Sequence, residues 1–217
     1  MNNNEKIKNK AGKKALLIAI SVIAGLIVCL SICSALIDAF EARRAAAQKI
    51  DFDFYPADYE ENIFEDEDYL ELIEGEYMSF CDITTNLTVG IDREGAIDYG
   101  KEVAFLVEML HDAISGDHTA YNACFSNEYY KNNQPKSSFT MQKIYDIVIT
   151  YISRETLTDS DGNNYTKSIY TVEYKIYKNN GTFRNDIGNG SKKQYFTLTD
   201  TTGLVLVDNI STVNPKR

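Results

Sequence analysis

The residues able to do chemistry are few in this chain. His111 and His118 are its only two histidines. An imidazole is the commonest transition-metal ligand, but a metal site needs three or four donors brought together. No HExxH and no CxxC supplies the others, so neither a metal nor a cofactor is expected. Asp159-Ser160-Asp161-Gly162-Asn163-Asn164-Tyr165 offers the oxygen ligands of a calcium loop. That loop needs Gly sixth and Glu twelfth. Here Gly162 is fourth and Tyr170 twelfth, so the stretch reads as a hairpin turn. Cys81 and Cys124 form a candidate disulfide if their part of the chain lies outside the cell. Each also fits the alternative of a small buried apolar group.

These residues must be positioned by elements whose patterns are readable. Over residues 93–115, Val103, Leu106, Val107, Leu110, Ala113 and Ile114 recur on one helical face. Gly116 ends that helix and Asp117 can cap the next. The second helix, His118 to Phe125, puts Tyr121 and Phe125 on one side, so the corner folds two apolar faces onto one core. Strands follow. Residues 141–159 are rich in β-branched side chains. Residues 165–178 alternate Tyr170, Val172, Tyr174 and Ile176 against Thr171, Glu173 and Lys175. Residues 192–200 and 204–211 complete a meander joined by Gly- and Asn-containing turns. Helices first and sheet after is an α+β layout, with helices packed on a curved antiparallel sheet.

The first half of the chain is organised by charge. The protein has 217 residues and a formal net charge of −10, which disfavours a nucleic-acid partner. Residues 15–37 are apolar and free of charge; as a helix they span about 34 Å, enough for a single-pass membrane anchor. The run is longer than a signal-peptide core. Residues 1–14 hold Lys6, Lys8, Lys10, Lys13 and Lys14, against Arg43, Arg44 and Lys49 beyond the run. That bias keeps the N-terminus cytoplasmic and the remainder extracellular at the cell membrane. Residues 38–92 read as a helical, then acidic spacer. Residues 51–92 carry 14 Asp and Glu and no Lys or Arg. Pro56 interrupts any helix there, and Tyr69, Leu70, Ile73, Tyr77 and Phe80 suggest a short amphipathic one from Asp66. This stretch reads as a solvated spacer, with a partner-binding segment or a cation-binding surface as its sharper alternatives.

The Gly-Asp, aromatic, Phe-Ser corner of SGDHTAYNACFS, followed by long antiparallel strands, resembles the nuclear transport factor two superfamily. The resemblance covers residues 93–213, leaving 214–217 as a tail, and implies a cone-shaped α+β domain. It implies candidate cavity-lining residues at Asp112, Tyr121, Phe125, Tyr145, Tyr151, Tyr170 and Tyr174. Enzymes of that superfamily use an Asp base inside the cone, which would make Asp112 or Asp146 a candidate if it faced a dry cavity. Neither sits in an alignable catalytic motif, and a buried Tyr more often satisfies its hydroxyl in the core. One membrane helix and one domain of this kind is also similar to scaffold subunits of type IV secretion and conjugative-transfer machines.

The expected function is therefore non-catalytic: an anchored domain that binds other envelope proteins or itself. The alternatives are a surface protein holding a small apolar ligand, and an isomerase-like enzyme. The Lys, Asn, Ile and Tyr bias reads as bacterial. It argues against glycosylation at the sequons of Asn86, Asn164, Asn180 and Asn209.

Overall fold

The computed structural model describes residues 52–215. The basic tail and the expected membrane helix at 15–37 lie outside the described residues. Within them, no helix is long and apolar enough to cross a membrane.

The acidic stretch is not a spacer from Phe52 onward. Residues from Phe52 belong to one compact unit with the rest. Asp66 caps α1 (Glu67–Ile73) by accepting from the Tyr69 amide at 3.2 Å. Gly75, at φ +85, ends the amphipathic pattern and turns the chain into β1 (Met78–Asp82). Tyr77 and Phe80 therefore do not extend the helix. Met78 and Phe80 alternate inward, and β1 pairs antiparallel with β2 (Leu87–Gly90). Ile63, Tyr69, Met78, Phe80 and Ile91 are all buried in the core. Their burial, about 1.5–3 kcal/mol for each large apolar side chain, is why this charged stretch orders.

The long helix is shorter than the 93–115 stretch in which its apolar face was read. Residues 95–99 form a 3-10 turn, and Gly100, at φ +111, resets the backbone before α2 (Lys101–Ile114). The expected apolar face is buried throughout. Gly116 has φ +72, and a Cβ there would lie 3.0 Å from the Met141 amide nitrogen, so only glycine fits this corner. Asp117 then accepts from the Thr119 and Ala120 amides at the start of α3 (His118–Ala123). Ser126 caps a last short turn of helix, α4 (Asn127–Tyr130).

Four strands follow as an antiparallel meander: β3 (Ile144–Thr158), β4 (Asn164–Ile176), β5 (Gln194–Thr201) and β6 (Leu204–Ser211). Asp159 organises the β3–β4 turn by accepting from the Asp161 and Asn163 amides. Thr202 and Gly203 both take positive φ, the geometry of the two-residue turn that suits twisted strands. The whole sheet has six strands in the order β2-β1-β3-β4-β5-β6. It is mixed rather than antiparallel, because β1 runs parallel to β3. The overall class is α+β.

Candidate functional site

The residues expected to share a cavity are dispersed. Tyr121, Phe125, Tyr170 and Tyr174 are buried in the core. Tyr121 packs on Phe125, Phe139 and Phe183 at ring distances of 5.2, 5.8 and 5.2 Å. Phe183 comes from the β4–β5 loop, so Tyr121 and Phe125 sit in a cluster of aromatic rings. The Tyr174 hydroxyl accepts from Arg184 Nη1 at 3.1 Å. Tyr151 meets the Tyr170 ring edge-on at 5.5 Å. Tyr145 instead carries Lys175 Nζ 5.7 Å from its ring centroid. None of the seven lines the groove beside Tyr55 and Lys143, the pocket beside Tyr77 and Asp146, or the pocket beside Glu155 and Lys167.

Nor do the candidate bases reach reactive positions. Asp146 is exposed and paired with Lys175 at 2.7 Å. Asp112 is half-buried; burial, then Asp117 and Glu108, raise its carboxyl above the usual range. Its neighbour is the Cys124 thiol, with Sγ 3.8 Å from Asp112 Oδ2. Burial and that carboxylate push the thiol up to about 12, so it is a poor nucleophile. Cys81 accepts from Thr88 Oγ1, and both cysteines are free, so the candidate disulfide is not formed. Burial lowers the pKa of His111, and His118 lies edge-on to Phe139. Among the described residues no acidic, Cys or His cluster is arranged to hold a metal ion. A deeply buried carboxylate, passed over in the sequence reading, is Glu102 in the first turn of α2. Arg154 pairs with it at 2.5 Å, and the helix N-terminus also favours its charge.

A different set of residues converges at the surface. The chain from Phe52 runs extended against the β4–β5 loop, where the Tyr55 amide donates to the Asn179 carbonyl at 3.0 Å. Two glycines let it approach. A Cβ on Gly181 would lie 3.0 Å from the Phe54 ring, and one on Gly188 would lie 2.7 Å from the Phe52 ring. From Tyr55 to Glu61 the chain borders an open groove of 280 Å³. Tyr55, Asp58 and Glu61 line one part of it; Met141, Gln142, Lys143, Ile176, Tyr177 and Lys178 are among the rest.

The groove is held by ions. Lys143 Nζ lies 2.5 Å from both Glu61 Oε1 and Asp66 Oδ2, and its side chain is only 6 % exposed. Burial alone would push Lys143 down; hydrogen bonds to Asp66 and Glu61 outweigh it and raise the ammonium above its ordinary value. The same hydrogen bond holds the Asp66 carboxyl below the usual range. Lys178 reaches Asp66 and Asp68 at 3.5 Å and sits 4.7 Å over the Tyr177 ring.

Gln142 completes the wall. It is 1 % exposed, and its Nε2 donates to the Thr140 carbonyl at 2.8 Å and to two threonine hydroxyls. A carbonyl only accepts, so this bond fixes which end of the amide is which. Gln142 Oε1 is left without a hydrogen-bond partner. Along the same stretch, Tyr55, Tyr59, Phe64 and Leu70 are exposed among carboxylates. Only Glu61, Asp66 and Asp68 of this acidic stretch have ion pairs among the described residues.

No family model matches the chain, and no curated protein or solved structure does either.

Proposed function

We propose that this chain is a non-catalytic, single-pass membrane protein whose body from Phe52 onward binds another protein outside the cytoplasm. The observation that carries the reading is the acidic, aromatic surface of residues 55–74. It is clamped to the core by Lys143 and α1 rather than left as loose chain. A fixed surface of exposed Tyr, Phe and Leu among carboxylates, most of which have no ion pair among the described residues, suits a basic partner, since complementary charge steers encounter and aromatic anchors hold it. The reading keeps residues 15–37 as the anchor and residues 1–14 in the cytoplasm. It also keeps the kinship with nuclear transport factor two-like domains and a place in an envelope or transfer complex. These rest on the hydropathy, the lysine bias and the order of elements.

The test is crosslinking of the full-length protein in its native membrane, followed by mass spectrometry. The comparison is a variant carrying Glu67→Lys, Glu71→Lys and Glu74→Lys. The expected result is one set of proteins recovered by the wild type and lost by the variant at equal expression. Recovery of the same set by both would end the reading.

A further inference from the structure

One stretch of sheet edge is left open among the described residues. We infer that β3 pairs there with β3 of a second copy of the chain, antiparallel about a two-fold axis at Thr156. This surface is separate from residues 55–74, and the inference does not rest on the protein-binding reading above.

β3 runs to Thr158, but β1 accompanies it only as far as Tyr151, which lies opposite Asp82. β4 pairs with the remainder, from Ser153 opposite Ile169 to Thr158 opposite Asn164, in one unbroken register. The Asp159 amide donates to the Asn163 carbonyl at 2.9 Å, and this pair continues the same register. In an antiparallel ladder, hydrogen-bonded pairs alternate with non-hydrogen-bonded ones. Leu157, Glu155 and Ser153 therefore turn their backbone groups to β4. Arg154, Thr156 and Thr158 turn theirs outward, where no backbone partner meets them among the described residues. All three residues are exposed. The outer strands of the sheet differ. β6 is closed by the Ser126 amide and the Cys124 carbonyl, which bond both backbone groups of Val207. β2 is only four residues long. Residues 153–158 contain none of the lysine or proline that commonly blunts an open edge, and their register has no bulge. Their one cation, Arg154, is drawn to Glu102 of α2.

Charge selects the register. About a two-fold axis perpendicular to the sheet, opposed residues share a face, so the axis falls on a residue. Centring on Arg154 or Glu155 sets that residue opposite its own copy, and centring on Leu157 sets Glu155 opposite Asp159. Each places like charges across the pair, which is destabilising. Centring on Thr156 opposes Thr156 to itself, Glu155 to Leu157 and Arg154 to Thr158. It also matches the outward backbone groups of Arg154, Thr156 and Thr158 to those of the second copy. The incoming strand then ends with Thr158 opposite Arg154, short of Tyr151 and the place that β1 occupies.

The test uses the full chain in dodecyl maltoside micelles, with its four native cysteines changed to alanine. Glu155→Cys and Leu157→Cys are made on separately tagged chains. In the inferred register these two positions form a non-hydrogen-bonded pair, with Cα atoms about 4.5 Å apart and within disulfide reach. Like positions of the two copies lie on a diagonal of about 7–8 Å, beyond it. Oxidation of the mixed chains is therefore expected to give at least about ten-fold more cross-linked dimer than oxidation of either alone. Thr156→Pro removes an outward N–H and none that serves β4, so it is expected to keep the fold and abolish the cross-link. With no cysteine added, Leu157→Lys is expected to tighten self-association and Leu157→Glu to weaken it, because each faces Glu155 of the second copy. Sedimentation equilibrium should place the two about ten-fold apart in dissociation constant. Cross-linking of either chain alone as efficient as that of the mixture would overturn the inference, as would a cross-link that survives Thr156→Pro. A wild-type chain that stays monomeric at every concentration would overturn it as well.

Discussion

Lys143 and Lys136 are both withdrawn from solvent, and the fold treats them in opposite ways. Lys143 precedes β3 and is gripped by Glu61 and Asp66. Lys136 lies before it in the same connection. It donates to the Phe183 carbonyl at 2.7 Å and sits 5.0 Å over the Phe183 ring, with no carboxylate of the described residues within ion-pair distance. Burial, and then Arg184, lower its pKa, while that of Lys143 is raised. The difference is the partner. A buried ammonium with two carboxylates is an anchor. One with a carbonyl and a ring is a packing group that tolerates its charge. Lys143 joins two segments about 80 residues apart in sequence, so it decides whether the acidic stretch belongs to the domain.

The largest expected effect follows from removing that anchor. Lys143→Met leaves Asp66 and Glu61 facing an apolar stem. Breaking a fully buried pair costs about 3–5 kcal/mol, but Glu61 is partly exposed and can regain water, so about 2–3 kcal/mol is expected. Chemical denaturation of the full chain in micelles reads the total. Hydrogen exchange at the Tyr55 amide should quicken in the same variant, because the segment from Phe52 to Asp66 loses its ionic hold. An unchanged Tyr55 rate would mean that the phenylalanine clasp, not the lysine, keeps the segment in place.

Gly181→Ala tests the clasp directly. The new Cβ meets the Phe54 ring, and alanine at φ +73 is strained in any case, so a loss of about 1–2 kcal/mol is expected. If it leaves stability unchanged while Lys143→Met is severe, the ionic half of the comparison carries the segment alone. Lys136→Met is expected to cost about 1 kcal/mol or less, since methionine keeps the stem packing and removes an unpaired charge. A loss as large as that of Lys143→Met would erase the distinction between the two lysines.

The parts legible in sequence were those set by local rules. The apolar face of α2 follows a 3.6-residue period, and Gly116 and Asp117 punctuate it by φ and by capping. The meander announces itself by alternation and by Gly or Asn turns. The β1–β2 hairpin also had a signal, in the alternating Met78 and Phe80 and then Leu87, Val89 and Ile91, but it lay inside a run dominated by acidic residues. Charge density there says nothing about which carboxylates will meet a lysine far along the chain. The parallel pairing of β1 with β3 has no local cue at all. The groove is less legible still, because it assembles residues near 55–61, 141–143 and 176–180. Gln142 reads as an ordinary polar residue until Thr140 and Thr182 take its amide nitrogen. Glu102, two residues past Gly100, has no local cue to its burial, because Arg154 reaches it from β3, 52 residues on.

The smallest effect is also the cleanest separation of the two lysines, because it is read as a difference between variants. Lys136 has a folded pKa below its unfolded value near 10.5. The unfolded chain therefore binds more protons in the window between the two, and stability rises with pH through that window. The penalty is fully present below the folded pKa and is relieved as the ammonium deprotonates. Lys143 has the opposite sign. Its pKa is raised, so its contribution is complete below about 10.5 and is lost only as pH climbs through the folded value. Asp66, held low, keeps its share above the ordinary carboxylate range and loses it as pH falls through its folded value. Thermal unfolding of wild type minus Lys136→Met, followed upward from neutral pH to pH 10, should therefore drift toward wild type. Wild type minus Lys143→Met should stay level over the same range and fall only beyond it. A level Lys136 difference would mean that its ammonium is solvated as well in the fold as outside it, and the contrast would then rest on geometry alone.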